Sequence, residues 1–470
     1  MKILSKTYKY LVIAGLLVTA SCDDYLDIND NPNNPTEAPI SALMVNTSFE
    51  TAQNTFRMGD ITSNYVQYLA SPNAGSSSDV MDAVSYSGTW GSLYDAMTDL
   101  SDLIAKAQET GANHYQGAAQ IMMAYNLALT VDAWGDVPYT EAFNFETITP
   151  SYDNDAQLYQ EILNLLDAGI NNLSQETEIS MGNDDFIYGG DSDNWIKFGN
   201  MLKARYLNHY SETGSYDPNA VLAALENGFE SNGDDAQVEY FDEQFNPWAN
   251  VAIRNADLLL GGWISEQFIE ATDGTTYGYM DPRLPLMVST TDDGEYVGTE
   301  NGAGRGNAPA EGARSVLETG DFYSSEKSPI LLATYFEQKF IEAEAAFTID
   351  KTRSYAAYLE GIRSHMTKLG VEQNEIDAYL NNPEVGVGED ALTMEDIFRE
   401  KWIAMFLHPE SWVDARRYDY QYENFTVPAN LNPDLNGQFL VRLAYPDSEV
   451  SRNGSNVPEV SLLDPIFWDE

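Results

Sequence analysis

The chain has 470 residues, with 24 Lys and Arg against 74 Asp and Glu, a formal charge of −50. A field of that sign repels phosphate backbones and anionic headgroups, which argues against nucleic-acid partners. A composition of 43% apolar and 12% aromatic residues marks a folded protein with an acidic coat rather than a disordered acidic tail, and one cysteine excludes an intrachain disulfide or a multi-thiolate metal site.

The N-terminus reads as an export leader. Lys2, Lys6 and Lys9 precede the uncharged run Leu11 to Ala20, which is too short for the roughly 20 residues a spanning helix needs. Thr19-Ala20-Ser21 then places small residues ahead of Cys22, the pattern of a lipobox. Residues 1–21 are therefore expected to be a lipoprotein signal peptide and Cys22 the acylated first mature residue, an anchor rather than a span. Removing three lysines and no acids takes the charge from −50 to −53. Residues 22–38, "CDDYLDINDNPNNPTEA", suit a tether and no helix. Asp27, Asn29 and Asn31 imitate the start of a calcium loop. Pro32 and Ala38 stand where that loop needs Gly and Glu, so the motif fails. No cofactor is expected, although a structural Ca²⁺ held by Asp and carbonyls elsewhere is compatible with the composition.

Helix dominates the rest. "TWGSLYDAMTDLSDLIAKAQ" aligns Trp90, Leu93, Tyr94, Met97, Leu100 and Ile104, and "AQLYQEILNLLDAGINNL" aligns Leu158, Ile162, Leu165, Leu166 and Ile170. "YQGAAQIMMAYNLALTVDAWGD" has the small residues of a closely packed helix. "NWIKFGNMLKARYLNHYS" puts Trp195, Phe198, Leu202 and Tyr206 on one face. Helical patterns return after 325 in "SPILLATYFEQKFIEAEAAF", "SYAAYLEGIRSHMTKLG" and "MEDIFREKWIAMFLHPESWVDARR". Several come as pairs: 88–108 with 114–133, 154–173 with 194–211, and 328–348 with 352–369. Such pairs suit tetratricopeptide-like units, but the spacing drifts, and generic helical packing accounts for it equally well. Between about 230 and 325 the texture changes to Gly, Asn, Asp and aromatics, as in "DGTTYGYMDPRLP" and "TDDGEYVGTENGAGRGNAPAEGARS". That predicts loop with short strands. The expected fold is all-α dominated, a scaffold of helix pairs interrupted by a long irregular insert, with residues 39–470 forming one domain.

No catalytic signature stands out. His114, His209, His365 and His408 make no two-ligand helical spacing, and no nucleophile elbow or phosphate loop is present. The many carboxylates are no signal for a glycosidase pair.

Seven segments occur in order: "CDDYLDINDNPNNPT", "VDAWGDVPYTEAF", "DNWIKFGNMLKARYL", "DPRLPLM", "LLATYFEQKFIEAEAAF", "EKWIAMFLHPESWVDARR" and "LAYPDSEVSRN". Together they resemble the SusD/RagB family of surface nutrient-binding lipoproteins of Bacteroidetes, from the lipobox to near the C-terminus. The resemblance implies four tetratricopeptide-like helix pairs and an irregular region that builds the ligand site. It also implies a SusC-like, TonB-dependent outer-membrane β-barrel as partner, over which the protein sits as a lid, and a place on the cell surface of a Gram-negative bacterium. Asp23, Asp24, Asp27 and Asp30 resemble that family's surface-export signal.

The motifs themselves read as scaffold. Gly135 and Asp136 suit a turn, Pro138 stops the preceding helix, and Phe398, Trp402, Met405 and Phe406 form an apolar stripe. Arg416 and Arg417 suit bonds to neighbouring carboxylates or carbonyls. Trp90 and Trp195 belong to the core. Ligand contacts are expected from the insert, where rings can cover a sugar face and polar groups its hydroxyl rim. The candidates are Trp248, Trp263, Tyr277, Tyr279, Tyr296, Asn301 and Arg305, with Asn307 nearby. "SPNAGSSSDVMDAVSY", ahead of and including Tyr86, is a second candidate loop. The expected function is capture of oligosaccharides for delivery to the barrel, without catalysis. Capture of peptides is the alternative within binding, and a surface glycoside hydrolase the alternative of another class.

Overall fold

The apolar stripes become the seams of a helical stack in the computed structural model, which describes residues 38–144, 146–258 and 261–469. The leader, Cys22 and the tether up to residue 37 lie outside the described residues. Helix α1 (Ile40–Thr62) packs on α2 (Ser87–Thr110) and α3 (Asn113–Trp134). Between α1 and α2 runs the short strand β1 (Leu69–Ala70). The stack continues through α4 (Asp155–Leu173), α5 (Ser192–Asn208) and α6 (Pro218–Leu225), each packed on its predecessor. Helix α3 is apolar nearly all round and buried along most of its length, as a central helix should be. Glycines set its approach to α4. A Cβ on Gly117 would meet the Gly169 carbonyl oxygen at 2.6 Å, and one on Gly169 would meet that of Gly117 at 2.8 Å. At the other end of α3, Gly135 takes φ 75° and turns the chain out of the helix ahead of Pro138.

The insert follows. It contains β2 (Ala236–Val238), α7 (Pro247–Leu258), β3 (Trp263–Ile264) and α8 (Glu266–Thr272). Strand β3 pairs antiparallel with β1, Leu69 opposite Ile264 and Ala70 opposite Trp263. The segment "NPWANVAIRN" is thus a helix start rather than loop or strand, because Pro247 suits the first helical turn. Strand β4 (Ile330–Ala333) pairs with β2. Helix α9 (Tyr335–Ala346) begins only at Tyr335, where the Thr334 side chain accepts from the Glu337 N–H. The expected helix from 328 is therefore a strand and then a helix.

Helix α10 (Lys351–Leu369) packs on α9, and α11 (Gln373–Leu380) packs on α10. The long pattern from Met394 splits into α12 (Met394–Ala404) and α13 (Glu410–Arg417), parted where Leu407 takes φ 64° ahead of Pro409. Helix α14 (Asp447–Asn453) is the last. The helix pairs are those the sequence predicted: α2 with α3, α4 with α5, α9 with α10.

Buried ions tie α12 and α13 to this stack. Arg205 of α5 makes a two-pronged bridge to Glu337 of α9, both contacts at 2.6 Å. Arg417 bonds Glu344 at 2.5 Å and Asp414 at 2.7 Å, and Lys401 reaches Asp414 at 2.8 Å. Arg416 instead donates to the carbonyls of Asp132 and Val441. Arg283, in the "DPRLP" segment, is held by Asp281 and Glu400 at 2.6 Å each. Beneath them runs a chain of shared protons. The Tyr159 hydroxyl donates to Asp132, so its oxygen is free to accept from His209 Nδ1 at 2.8 Å. Nε2 of that ring then accepts, 2.5 Å from Glu410 Oε1. Burial pushes Glu410 up to about 7 and His209 down to about 3, which agrees with a protonated acid donating to a neutral ring. The tail closes this layer. Trp468 is buried, donates its indole N–H to Asp132 at 3.1 Å and lies 4.6 Å from the Arg416 guanidinium.

Candidate functional site

Three loops meet beside β3. Asn301, 1% exposed, joins them: its amide donates to the Leu69 carbonyl at 2.9 Å and to Asp79 Oδ1 at 2.6 Å, and its oxygen lies 2.6 Å from the Ser265 hydroxyl. Asp79 also accepts from the Gly302 N–H at 2.5 Å. Burial pushes the Asp79 carboxyl up to about 6, against the pull of those two donors. Gly75 N–H donates to the Gly302 carbonyl, Arg305 N–H to the Pro72 carbonyl, and Ala429 N–H to the Asn301 carbonyl. Gly302 has φ 78°, and a Cβ there would collide with the Ala429 carbonyl. The "SPNAGSSS" loop, the 298–308 loop and the 424–432 loop are therefore one hydrogen-bonded unit.

Two clefts open at this unit, on either side of the Gly262–Trp263 link. One, of about 190 Å³, is lined by Asp60 and Asn64 from the end of α1, the hydroxyls of Ser71, Ser76 and Ser78, and Tyr86. Asp60 is open to solvent yet hemmed in by protein, which pushes its carboxyl up to about 6. Its carboxylate accepts no hydrogen bond among the described residues. The Tyr86 hydroxyl lies 2.9 Å from that of Tyr65, and burial pushes it up to about 12. Hydroxyls, an amide, a carboxylate and a ring edge are the groups that bind a polyol. The second cleft, of about 520 Å³, is lined by Trp263, Ile253, Glu311, Arg314, Leu317 and Glu318, among others.

The expected contact residues divide. Asn301 and Arg305 hold the loops together rather than facing a ligand; the Arg305 side chain is bonded to the Ala308 carbonyl. Trp263 lines the larger cleft, but at 2% exposure it offers an edge and not a face. Trp248 is a correction: it is 3% exposed, edge-on to Phe56 with centroids 4.8 Å apart, because its place in the first turn of α7 turns it into the core. Tyr277 and Tyr279 pack away from both clefts, the first under the Arg399 guanidinium at 4.7 Å and the second against Tyr379. Tyr296 is half-buried and lines neither. Asp60, Asn64 and Arg314 escaped the sequence reading, since α1 was not recognised and a lone Arg in a Gly-rich loop carries no pattern. Among the described residues no group of acids, His or Cys could hold a metal ion, and no helix is long and apolar enough to cross a membrane.

The fold is thus a helical scaffold that presents two clefts on hydrogen-bonded loops. The chain belongs to the SusD-like family, whose model, described as starch-binding and associating with the outer membrane, matches residues 32–446. Members of that family are binding proteins rather than enzymes, and they are associated with the outer membrane. None of the curated proteins matches the chain in sequence. Among solved structures, a SusD/RagB family protein of Bacteroides thetaiotaomicron is 22% identical, with a TM-score of 0.74 over 92% of this chain and 99% of its own. A SusD homolog of Bacteroides fragilis is 20% identical, with a TM-score of 0.75 over 92% and 100%. A chitin-binding SusD homolog of Flavobacterium johnsoniae is 19% identical, with a TM-score of 0.74 over 91% and 98%. At these identities the likeness is one of fold.

Proposed function

We propose that the protein captures oligosaccharides at the cell surface, anchored through acylated Cys22, and passes them to a TonB-dependent outer-membrane barrel of the SusC kind. The observation that carries the ligand reading is the smaller cleft: three serines, Asn64 and Tyr86 line it with a carboxylate that has no partner among the described residues. A carboxylate accepts two neighbouring sugar hydroxyls as readily as it accepts water, and the flanking hydroxyls both donate and accept. The chitin-binding relative agrees with a saccharide ligand. The clefts are shallow and the binding loops already ordered, so affinity is set by a few polar contacts and is modest. The family's outer-membrane association and the leader expected ahead of Cys22 support delivery to a barrel.

Calorimetry of the mature chain against a panel of neutral oligosaccharides tests the ligand reading. Asp60→Ala should weaken binding about tenfold, the loss expected when a charge-assisted hydrogen bond worth about 1.5 kcal/mol disappears, with the melting temperature unchanged. Release of cleaved product would mark a hydrolase, binding confined to peptides would overturn the sugar reading, and full affinity in the Asp60 variant would move the site out of this cleft.

A further inference from the structure

The larger cleft carries groups that the smaller one lacks. Among the described residues, the buried indole N–H of Trp263, which lines it, has no acceptor, and the buried Nε–H of Arg314 has none either. Both are donors only. Arg314 forms no ion pair with a carboxylate among the described residues and spends one terminal nitrogen on the Ala313 carbonyl at 3.0 Å. Beside these donors stand apolar side chains, Ile253 and Leu317, and the carboxylates of Glu311 and Glu318. An unmet donor behind a cleft wall is costly to the free protein, so a ligand that brings an acceptor is favoured.

Resting on the oligosaccharide reading above, we infer that this cleft selects sugars bearing an acetamido substituent. That group presents three features at once. Its carbonyl accepts from the Trp263 and Arg314 donors, its N–H donates to Glu311 or Glu318, and its methyl packs on Ile253 and Leu317. A plain hydroxyl fills only one of these positions. A uronate brings acceptor oxygens but no N–H and no methyl. It also meets two glutamates in the cleft, and a third carboxylate, Asp292, lies against Gly312 of the same loop. One guanidinium against three carboxylates disfavours an anion in a chain of this charge.

The test compares chitohexaose with cellohexaose, which share a β-1,4 glucose-type backbone and differ in the C2 substituent, and adds an oligogalacturonate as the anionic arm. Calorimetry on the mature protein should give at least about tenfold tighter binding of chitohexaose than of cellohexaose, one good hydrogen-bonded contact's worth. Trp263→Phe, which keeps an aromatic ring and removes the N–H, and Arg314→Gln, at a half-buried site, should each shrink that ratio several-fold. Circular dichroism melts establish that the variants are folded, and the Gln variant carries the test should the Phe variant unfold. Equal affinity for the two hexamers, preference for the galacturonate, or an unchanged ratio in the folded variants would overturn the inference and leave sugar capture standing. No binding of any of the three, nor of any saccharide in the wider panel, would refute sugar capture itself and this inference with it.

Discussion

Replacing Asn301 with Ala probes whether the loop unit is held as described. The change leaves the Leu69 carbonyl without its donor and takes from Asp79 one of its donors, leaving the Gly302 and Ser71 N–H groups. An orphaned buried carbonyl costs about 1–2 kcal/mol and a lost bond to a charged group about 1.5–3 kcal/mol, so the variant should lose about 3–5 kcal/mol at pH 8. The cost depends on pH. Burial raises the Asp79 carboxyl from 3.8 to about 6, so between those values the fold holds a proton that the unfolded chain releases. Stability is therefore lost as pH rises through that window. Without the Asn301 donor the carboxyl rises further, which extends the loss upward in pH. The deficit of the variant relative to the parent should be smaller at pH 5, where Asp79 is protonated in both. Urea unfolding at pH 5 and pH 8 reads this directly, and sugar affinity at pH 8 should fall as the 71–86 and 298–308 loops part. A deficit below about 1 kcal/mol at pH 8, or a larger deficit at pH 5 than at pH 8, would refute the staple and its charge coupling.

Trp248→Ala should cost about 3–5 kcal/mol through the cavity it leaves, read by urea melts, while the folded fraction binds sugar as before. Weakened binding at unchanged stability would instead put the ring at the ligand. Glu410 sits about 7 in the fold against 4.5 in the free side chain, so stability drains away as pH climbs from 4.5 to 7. Glu410→Gln, whose amide can still donate to His209, should flatten that slope in denaturant midpoints taken at pH 5 and 8, and an unaltered slope would place the titration elsewhere. Cys22→Ala should move the protein from the membrane fraction to the soluble one. Retention without the thiol would remove acylation as the anchor.

The scaffold was legible wherever burial was apolar. Leu93, Met97 and Leu100 on α2, and Leu158, Ile162 and Leu166 on α4, mark their seams by spacing alone, and all are buried. Helix α1 was not, because Thr47, Ser48, Thr51, Asn54 and Thr55 interrupt the apolar part of its buried face. Those hydroxyls are satisfied within the helix, Thr51 on the Thr47 carbonyl at 2.7 Å, and Asn54 by Asn126 of α3 at 3.0 Å. A polar seam closed by its own hydrogen bonds has no hydropathy signature. The same blindness hid Asp60 and Asn64, delivered by the end of that helix, although the serines and Tyr86 of their cleft lie in the second candidate loop. In the insert the residue types were right and their directions were not. Trp248 and Trp263 lie 15 positions apart in similar-looking sequence. One opens a helix and the other pairs in a strand, and only the second reaches either cleft at the loop unit. Asn301 looked like a sugar-reading amide and is a fastener, a distinction that depends on Leu69 and Asp79, over 200 positions away.

Trp468 seals a layer whose other members, Asp132, Tyr159 and His209, were laid down hundreds of positions earlier. The seam between the opening helix pairs and this layer therefore stays incomplete until residue 468 joins it. A chain cut short of residue 468 would leave Asp132 one donor poorer and the Arg416 guanidinium without one of its two flanking rings.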